Sequence, residues 1–434
     1  MTGKARQAGE PVQRRVTGLI SVMSALGMVA VLSGCSGSSD ADSQDVTLKL
    51  VAADYGDSKA NSSQKYWDKL VKEYEKKHPG IKIDVSVHSW NDVDAKVKKM
   101  VADGHAPDMA QIGAYADYAA KNQLYKVDEL LSIPVQADFV SRLAEAGEVR
   151  RVQYGMPFAS STRLLFYNKK LFADAGLTPP QSWSDLAAAA KVLKSRGVKI
   201  PYALPLGHEE AQAETMMWLL SGGGGYVDGV SSYGLDSEQN VDTFDWLKNE
   251  LVAKGLTGPT APGKLNRADA FAAFTRGDVG MLNGHPSLMQ AAAKKGVKFG
   301  MVPMPGINGK SKATMGVADW MMAFKQNGHA EQVGDFLDFV YSEKNVLEFS
   351  HTYDLLPVTA RASEAMAADK NDKRLDPFLK ELSNAELYPV AKTSWAQVSA
   401  DIKQQIGKAV SPNASPTAIL GQLQRSAAAA ENSE

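Results

Sequence analysis

The strongest constraint on this chain is the way its hydrophobic period switches between two and 3.6 residues. In "VTLKLVA", Val46 to Ala52, the residues Val46, Leu48 and Leu50 recur at every second position and share one face of a strand. A polar loop, "ADYGDSKANSS", separates it from Tyr66, Trp67, Leu70, Val71 and Tyr74, which recur at helical spacing until Pro79-Gly80 stop them. "IKIDVSV" then alternates again, with Ile81, Ile83, Val85 and Val87 expected to point inward. Strand, helix, strand is a right-handed crossover unit. Val93, Val97, Met100 and Val101 mark a further helix, and "PDMAQIG" a short strand. Alternation of this kind predicts an α/β sheet covered by helices.

The same logic returns further on. "STRLLFYN", Ser161 to Asn168, reads as one buried strand. "QSWSDLAAAAKVLKSRG" reads as a helix opened by Ser182, with Asp185 three residues on, and closed by Gly197. "TFDWLKNELVAKG" is a helix ended by Gly255, "AFAAFTRGDVGMLNG" a helix turning into a strand, "KFGMVPMPG" a strand and "AEQVGDFLDFVYS" a helix. The end is helical, from Trp395 to Ala409 and from Pro416 to Ala430. No internal repeat of solenoid length is visible.

The first 45 residues have a different character. Lys4, Arg6, Arg14 and Arg15 precede an apolar run from Val16 to Leu32, followed by Ser33, Gly34 and Cys35, the one cysteine in 434 residues. Basic, apolar, small is the order of a secretory signal. The run is short and glycine-containing against the ~20 apolar residues of a membrane span. Leu32-Ser33-Gly34-Cys35 resembles the lipobox of bacterial lipoproteins, which implies cleavage before Cys35 and a lipid on its sulfur. Residues 1–34 are then a signal peptide, and 35–45 a lipidated cysteine with a flexible polar tether, "SGSSDADSQD". With Cys35 spent, the exported body has no disulfide and is held by its core alone. The 400 residues that remain exceed one core and suggest two domains, by the soft rule of ~100–200 residues each.

Charge and motifs exclude several kinds of chemistry. The first 34 residues carry four basic side chains and one acidic, so the remainder is near −4 against −1 for the whole chain. That balance argues against nucleic acid as a partner. "GGGG", Gly222 to Gly225, lacks the Gly-Lys-Ser/Thr ending of a phosphate loop and reads as a helix-to-loop exit. His208-Glu209-Glu210 has no second histidine at the zinc offset, and the seven histidines are scattered, so neither a metal nor another cofactor is expected. There is no Gly-x-Ser-x-Gly elbow and no thiol nucleophile. Carboxylates are plentiful, but nothing singles out a glycosidase pair.

Several segments occur together in one order: "YWDKLVKEYEKKHPGIKIDV", "APDMAQIGAYADYAAKNQLYKVDEL", "YGMPFASSTRLLFYNKKLFADAGLTPPQSWSDL", "AFTRGDVGMLNG" and "MGVADWMMAFKQNGHAEQVGDFLDFVYSEKN". Together they resemble the extracellular solute-binding proteins of ABC importers, in the carbohydrate-binding group that includes maltose-binding protein. The resemblance implies a periplasmic-binding-protein-like α/β fold of two lobes, joined by crossings near Phe158–Thr162, Gly316–Met321 and Leu355–Val358. Lobe I would hold 46–158 plus 317–356, and lobe II 159–316 plus 357–434. A ligand would sit between lobes that close like a hinge.

Sugars offer apolar ring faces for aromatic stacking and hydroxyls for carboxylates, amides and arginine. Carried over by position, the resemblance implies ligand contacts from Asp54, Tyr55 and Asp57 after the first strand, and from Tyr115 after "PDM". Ser161 and Arg163 lie at the first crossing, and Asp319 and Trp320 at the second. Asn283 and His285 end "MLNGHPS", and Trp395 in "YPVAKTSWAQV" is the main stacking candidate. Trp218, Tyr66, Trp67 and Tyr74 are assigned to packing. His285-Pro286-Ser287 stands where many relatives carry an aromatic, and Val51-Ala52-Ala53 lacks a tryptophan often found there. Fewer stacking platforms favour a mono- or short oligosaccharide over a long maltodextrin. The implied function is a monomeric, lipid-anchored receptor that hands a sugar to the transmembrane subunits of a permease. A secreted carbohydrate hydrolase, a surface adhesin, and a binding protein for another solute stay open beside it.

Overall fold

The computed structural model of the chain describes residues 45–56, 58–90, 92–309, 311 and 313–433. The expected signal segment 1–34, Cys35, and the tether up to residue 44 lie outside the described residues, as does Asp57.

The strands are β1 (Val46–Ala53), β2 (Ile81–His88), β3 (Met109–Ile112), β4 (Glu148–Val149), β5 (Val152–Gln153), β6 (Met156–Thr162), β7 (Leu164–Asn168), β8 (Ile200–Tyr202), β9 (Val279–Gly284), β10 (Phe299–Val302) and β11 (Gly316–Ala323). They form a five-stranded sheet in the order β2-β1-β3-β11-β6, a four-stranded sheet in the order β10-β7-β9-β8, and the hairpin β4-β5. Each of the two larger sheets is the centre of one lobe.

In the first sheet β1 runs parallel to β2, from Val46↔Ile81 to Ala53↔His88, and parallel to β3 on its other side. The helix Ser63–Glu75 joins β1 to β2 and buries Tyr66, Trp67, Leu70, Val71 and Tyr74, the residues its period selected. β2 departs from its expected pattern: Ile83 alone of its alternating set is buried, with Ile81, Val85 and Val87 half-buried. The reason is its position at the sheet edge, where among the described residues one flank has no neighbouring strand to cover it.

In the second sheet β7 is antiparallel to both β9 and β10, and β8 is parallel to β9. The helix Trp183–Ser195 covers it. Ser182 Oγ accepts from the Asp185 N–H at 3.1 Å at its start, and Gly197 follows its end at φ +81°. Trp183, Trp218 and Trp246 meet there, with ring centroids 4.7–5.7 Å apart. Of the "GGGG" run, Gly223 takes φ +90°, and a Cβ on Gly224 would fall 2.0 Å from Asn240 Oδ1. The run is a tight exit from the helix Ala211–Ser221.

The crossings differ in detail from those expected. "STRLLFYN" is two strands rather than one, broken at Arg163. β6 pairs with β11 from Gly316↔Thr162 to Met321↔Met156, so residues up to Thr162 belong to the first sheet and Leu164 opens the second. Gly316–Met321 is likewise paired strand within the first sheet, and the return from the second sheet occupies the stretch between Val302 and Gly316. Leu356 still donates to Ser160 of β6, at 2.8 Å. The chain reaches the second lobe for the last time beyond the helix Asp376–Leu382. Met315 pairs with Glu386 on this path. The helices Trp395–Ala409 and Pro416–Glu431 then pack on each other and on the second lobe.

Candidate functional site

The first lobe presents one polar chain, built across three neighbouring strands. Gln111, in β3, accepts the Ala53 N–H of β1 on Oε1 at 3.0 Å. Its Nε2 donates to the Tyr55 hydroxyl at 2.8 Å, and that hydroxyl donates to Asp319 Oδ2 of β11, also at 2.8 Å. Order in the sheet, β1-β3-β11, puts these groups side by side. The Tyr55 ring is held edge-on between Trp90 and Phe349, at 5.3 and 5.0 Å. Asp54 serves the turn beneath: its Oδ1 accepts from the N–H groups of Gly56 and Ser63, each at 2.9 Å.

The second lobe presents an ion-pair network. Arg163, at the joint between the two sheets, donates through Nη1 to Ser161 Oγ at 3.1 Å and through Nη2 to Glu210 Oε1 at 2.8 Å. Glu210 also pairs with Arg267, whose Nη2 donates to Glu209 Oε1 at 2.6 Å. Arg267 Nη1 lies 3.4 Å from His285 Nε2, and Ser287 Oγ 2.9 Å from His285 Nδ1. Burial, then the Arg163 and Arg267 charges, push the His285 pKa well down, so its ring is neutral at pH 7. Trp395 opens the helix Trp395–Ala409 and stacks on Tyr388, centroids 5.1 Å apart and planes 27° from parallel. Tyr226 backs it at 5.3 Å.

The walls adjoin where β6 pairs with β11, Val317 opposite Ser161 and Asp319 opposite Ala159. The Asp319 carboxyl is pushed up to about 7, first by burial. The Tyr55 hydrogen bond and the Arg163 charge oppose that rise, while Asp94 and Glu210 add to it, so groups of both lobes act on one carboxyl. Asp94 accepts the Gly113 N–H at 3.3 Å. Beside them a cavity of about 260 Å³ is lined by Asp94, Gly113 and Asp117 from the first lobe and by Val390, Thr393 and Trp395 from the second.

The residues expected from sequence fall into groups. Tyr55 and Asp319 meet in the first wall; Ser161, Arg163 and His285 meet in the second; Trp395 lines the cavity. Asn283 lies under the second wall and donates to Glu214. Tyr115 and Trp320 are fully buried and pack on each other at 5.2 Å within the first lobe, where the Tyr115 hydroxyl donates to the Ala146 carbonyl. Trp218 is core, and its Nε1 donates to Glu214. Gln111, Glu209, Glu210, Arg267 and Tyr388 escaped the sequence as site residues. Gln111 carried a signal, an amide inside a wholly buried strand. Arg267, half-buried at the start of its helix, carried none.

Two α/β lobes, a chain that passes between them, and an interlobe cleft walled by polar and aromatic groups define a solute-binding protein. Residues 60–346 match the family model described as bacterial extracellular solute-binding protein, and the chain belongs to that family. A binding protein of Brucella abortus (strain 2308) is 25% identical over 382 residues, 86% of this chain and 90% of that one. The sn-glycerol-3-phosphate-binding periplasmic protein of Escherichia coli (strain K12) is 29% identical over 219 residues, 48% of this chain and 49% of that one. Among solved structures, the cyclic alpha-maltosyl-1,6-maltose binding protein from Arthrobacter globiformis superposes with a TM-score of 0.73 at 21% identity, over 90% of this chain and 100% of that one. A solute-binding protein of an ABC transporter from Thermotoga lettingae, bound with alpha-D-tagatose, gives 0.73 at 18% identity, over 88% and 99%. The two-lobe periplasmic-binding-protein-like fold is thereby established, and family and fold are those of binding proteins rather than enzymes.

Proposed function

We propose that the chain is an extracellular receptor that captures a neutral sugar, a mono- or short oligosaccharide, between its lobes and delivers it to the permease of an ABC importer. The supporting observation is the pairing of walls: the Tyr388–Trp395 stack offers a face to a sugar ring, and the Tyr55–Asp319 and Arg163–Glu210 groups offer hydrogen bonds to its rim. Tyr55, Gln111, Ser161, Arg163, Glu210, His285, Asp319 and Trp395 are the contacts we assign. The sugars named for the Arthrobacter and Thermotoga proteins support the ligand class. Cys35 would carry the lipid that holds this monomeric receptor at the outer face of the membrane, on the strength of "LSGC".

The relative that binds sn-glycerol 3-phosphate raises an anionic solute as a second reading. Charge argues against it. The two guanidiniums at the cleft, Arg163 and Arg267, already meet the two carboxylates Glu209 and Glu210, which leaves no net positive charge in that network for a phosphate.

The compact unit 44–434 is the material for the test. It would be screened by thermal shift and tryptophan fluorescence against mono- and oligosaccharides, polyols and sn-glycerol 3-phosphate. A ligand at 100 times its Kd adds ~2.7 kcal/mol of stability. Stabilisation by a sugar with no turnover is the expected result. Stabilisation by the phosphate ester alone would overturn the neutral-sugar reading, and release of a cleaved sugar would restore the hydrolase.

A further inference from the structure

Below the arginine–glutamate network lies a cavity of about 20 Å³, walled in part by Arg163, Glu210, Glu214, Arg267, Phe271 and Asn283. One water needs roughly 10–15 Å³ of such space, so the cavity takes one water-sized group and no ring. Asn283 is 5% exposed. Its Nδ2 donates to Glu214 Oε1 at 3.0 Å, while its Oδ1 is buried without a partner among the described residues. A buried acceptor without a donor costs ~1–3 kcal/mol, so a donor is called for.

Glu214 decides which end of the amide is left over. Its Oε1 also accepts from Trp218 Nε1 at 2.8 Å and from the Tyr202 hydroxyl at 3.1 Å. An oxygen that gathers three donors calls for the NH₂ end of Asn283, not the carbonyl. We infer that Glu214 is a positioning residue: it turns the Asn283 amide so that Oδ1 faces this cavity, making a pocket for a single hydroxyl group, filled by one water in the free protein. A hydroxyl can donate to Oδ1 and accept from a guanidinium at once; a methyl can do neither.

The charged and titratable groups around Glu214 are Arg163 at the sheet joint, Tyr202 on β8, and Glu210 and Arg267 across the cavity. Burial raises the Glu214 carboxyl to about 7 against the hydrogen bonds and Arg163, which lower it. As pH falls through that value the acid gains a proton of its own to donate, and the constraint on the amide relaxes. The inference rests on the receptor reading only for the step in which a ligand hydroxyl replaces the water.

Both tests use the unliganded protein. A high-resolution crystal structure should show one ordered water at ~2.5–3.0 Å from Asn283 Oδ1; a dry cavity overturns the hydroxyl pocket. In ¹H–¹⁵N spectra the Asn283 side-chain amide, assigned by its loss in Asn283→Ser, should titrate with a midpoint near 7. That titration should vanish in Glu214→Gln, which keeps the shape and loses the charge. An Asn283 signal that is unchanged in Glu214→Gln overturns the positioning role. Because neither test uses a sugar, failure of the carbohydrate screen and failure of this inference are told apart.

Discussion

The two walls of the cleft solve one problem by different means. In the first lobe, neutral groups relay from Gln111 through the Tyr55 hydroxyl to one carboxyl, Asp319, and strand order does the aligning. In the second, loop and helix-start residues are held by mutual charge, with Arg163 and Arg267 sharing Glu210. A sheet tolerates a half-neutralised carboxyl because its backbone ladder keeps the partners in place. Loops have no ladder, so the ion pairs themselves supply the geometry. The first wall should therefore answer to pH at Asp319, and the ion pairs of the second to loss of a charge.

Arg163→Met is the severest way to break that contrast. It strands Glu210 beside a single remaining guanidinium, and breaking a buried pair from one side costs ~3–5 kcal/mol. Because Glu210 keeps Arg267, a loss near the lower end is expected in urea unfolding. The exposed Lys170–Asp174 pair offers a control, and removing it should cost under ~1 kcal/mol. Equal losses would show that the second wall is not held by charge.

Trp395→Ala tests the aromatic side shared with the cavity. A buried tryptophan anchor is typically worth ~2 kcal/mol or more, so affinity for the sugar found in the screen should fall ~30-fold. Calorimetric titration would read it, and unchanged affinity would remove Trp395 from the site.

Tyr55→Phe deletes the hydroxyl that links Gln111 to Asp319, with an expected loss of ~1–2 kcal/mol in chemical denaturation. The deleted bond also lowers the Asp319 pKa, so that pKa should climb further in the variant.

Asp319→Asn sharpens the pH difference. The Asp319 carboxyl rises from 3.8 to about 7 on folding, so the native state holds the proton more tightly than the unfolded chain. Stability must then fall as pH rises between those values and level off above them. The Asn variant should flatten this part of the melting-temperature profile, and an undiminished slope would assign it to Glu214, whose carboxyl moves the same way.

Much of the fold was legible before any coordinates. The helix over Tyr66–Tyr74, the Ser182 cap and the helix opened by Trp395 follow from periods and caps that act within a few residues. The break at Arg163 was not legible, because "STRLLFYN" is continuous in β propensity and only its pairing partners differ on either side. The site was legible in part for the same reason. Position along a resembling sequence put Tyr55, Arg163, His285 and Asp319 forward as candidates, whereas Gln111, Glu210 and Arg267 become candidates only through their neighbours in space.

What the sequence alone determined is the succession of strands and helices and, through its resemblance to a known family, the class of protein. Hydrophobic period, capping and composition are local and survive in one dimension. Tertiary structure decided the partnerships. The Tyr55 hydroxyl meets Asp319 across 264 positions of chain, and Arg163 meets Glu210 across 47. Hydrogen-bond and ion-pair partners depend on which strands lie side by side, and that order is set by the packed core rather than by any neighbouring residue.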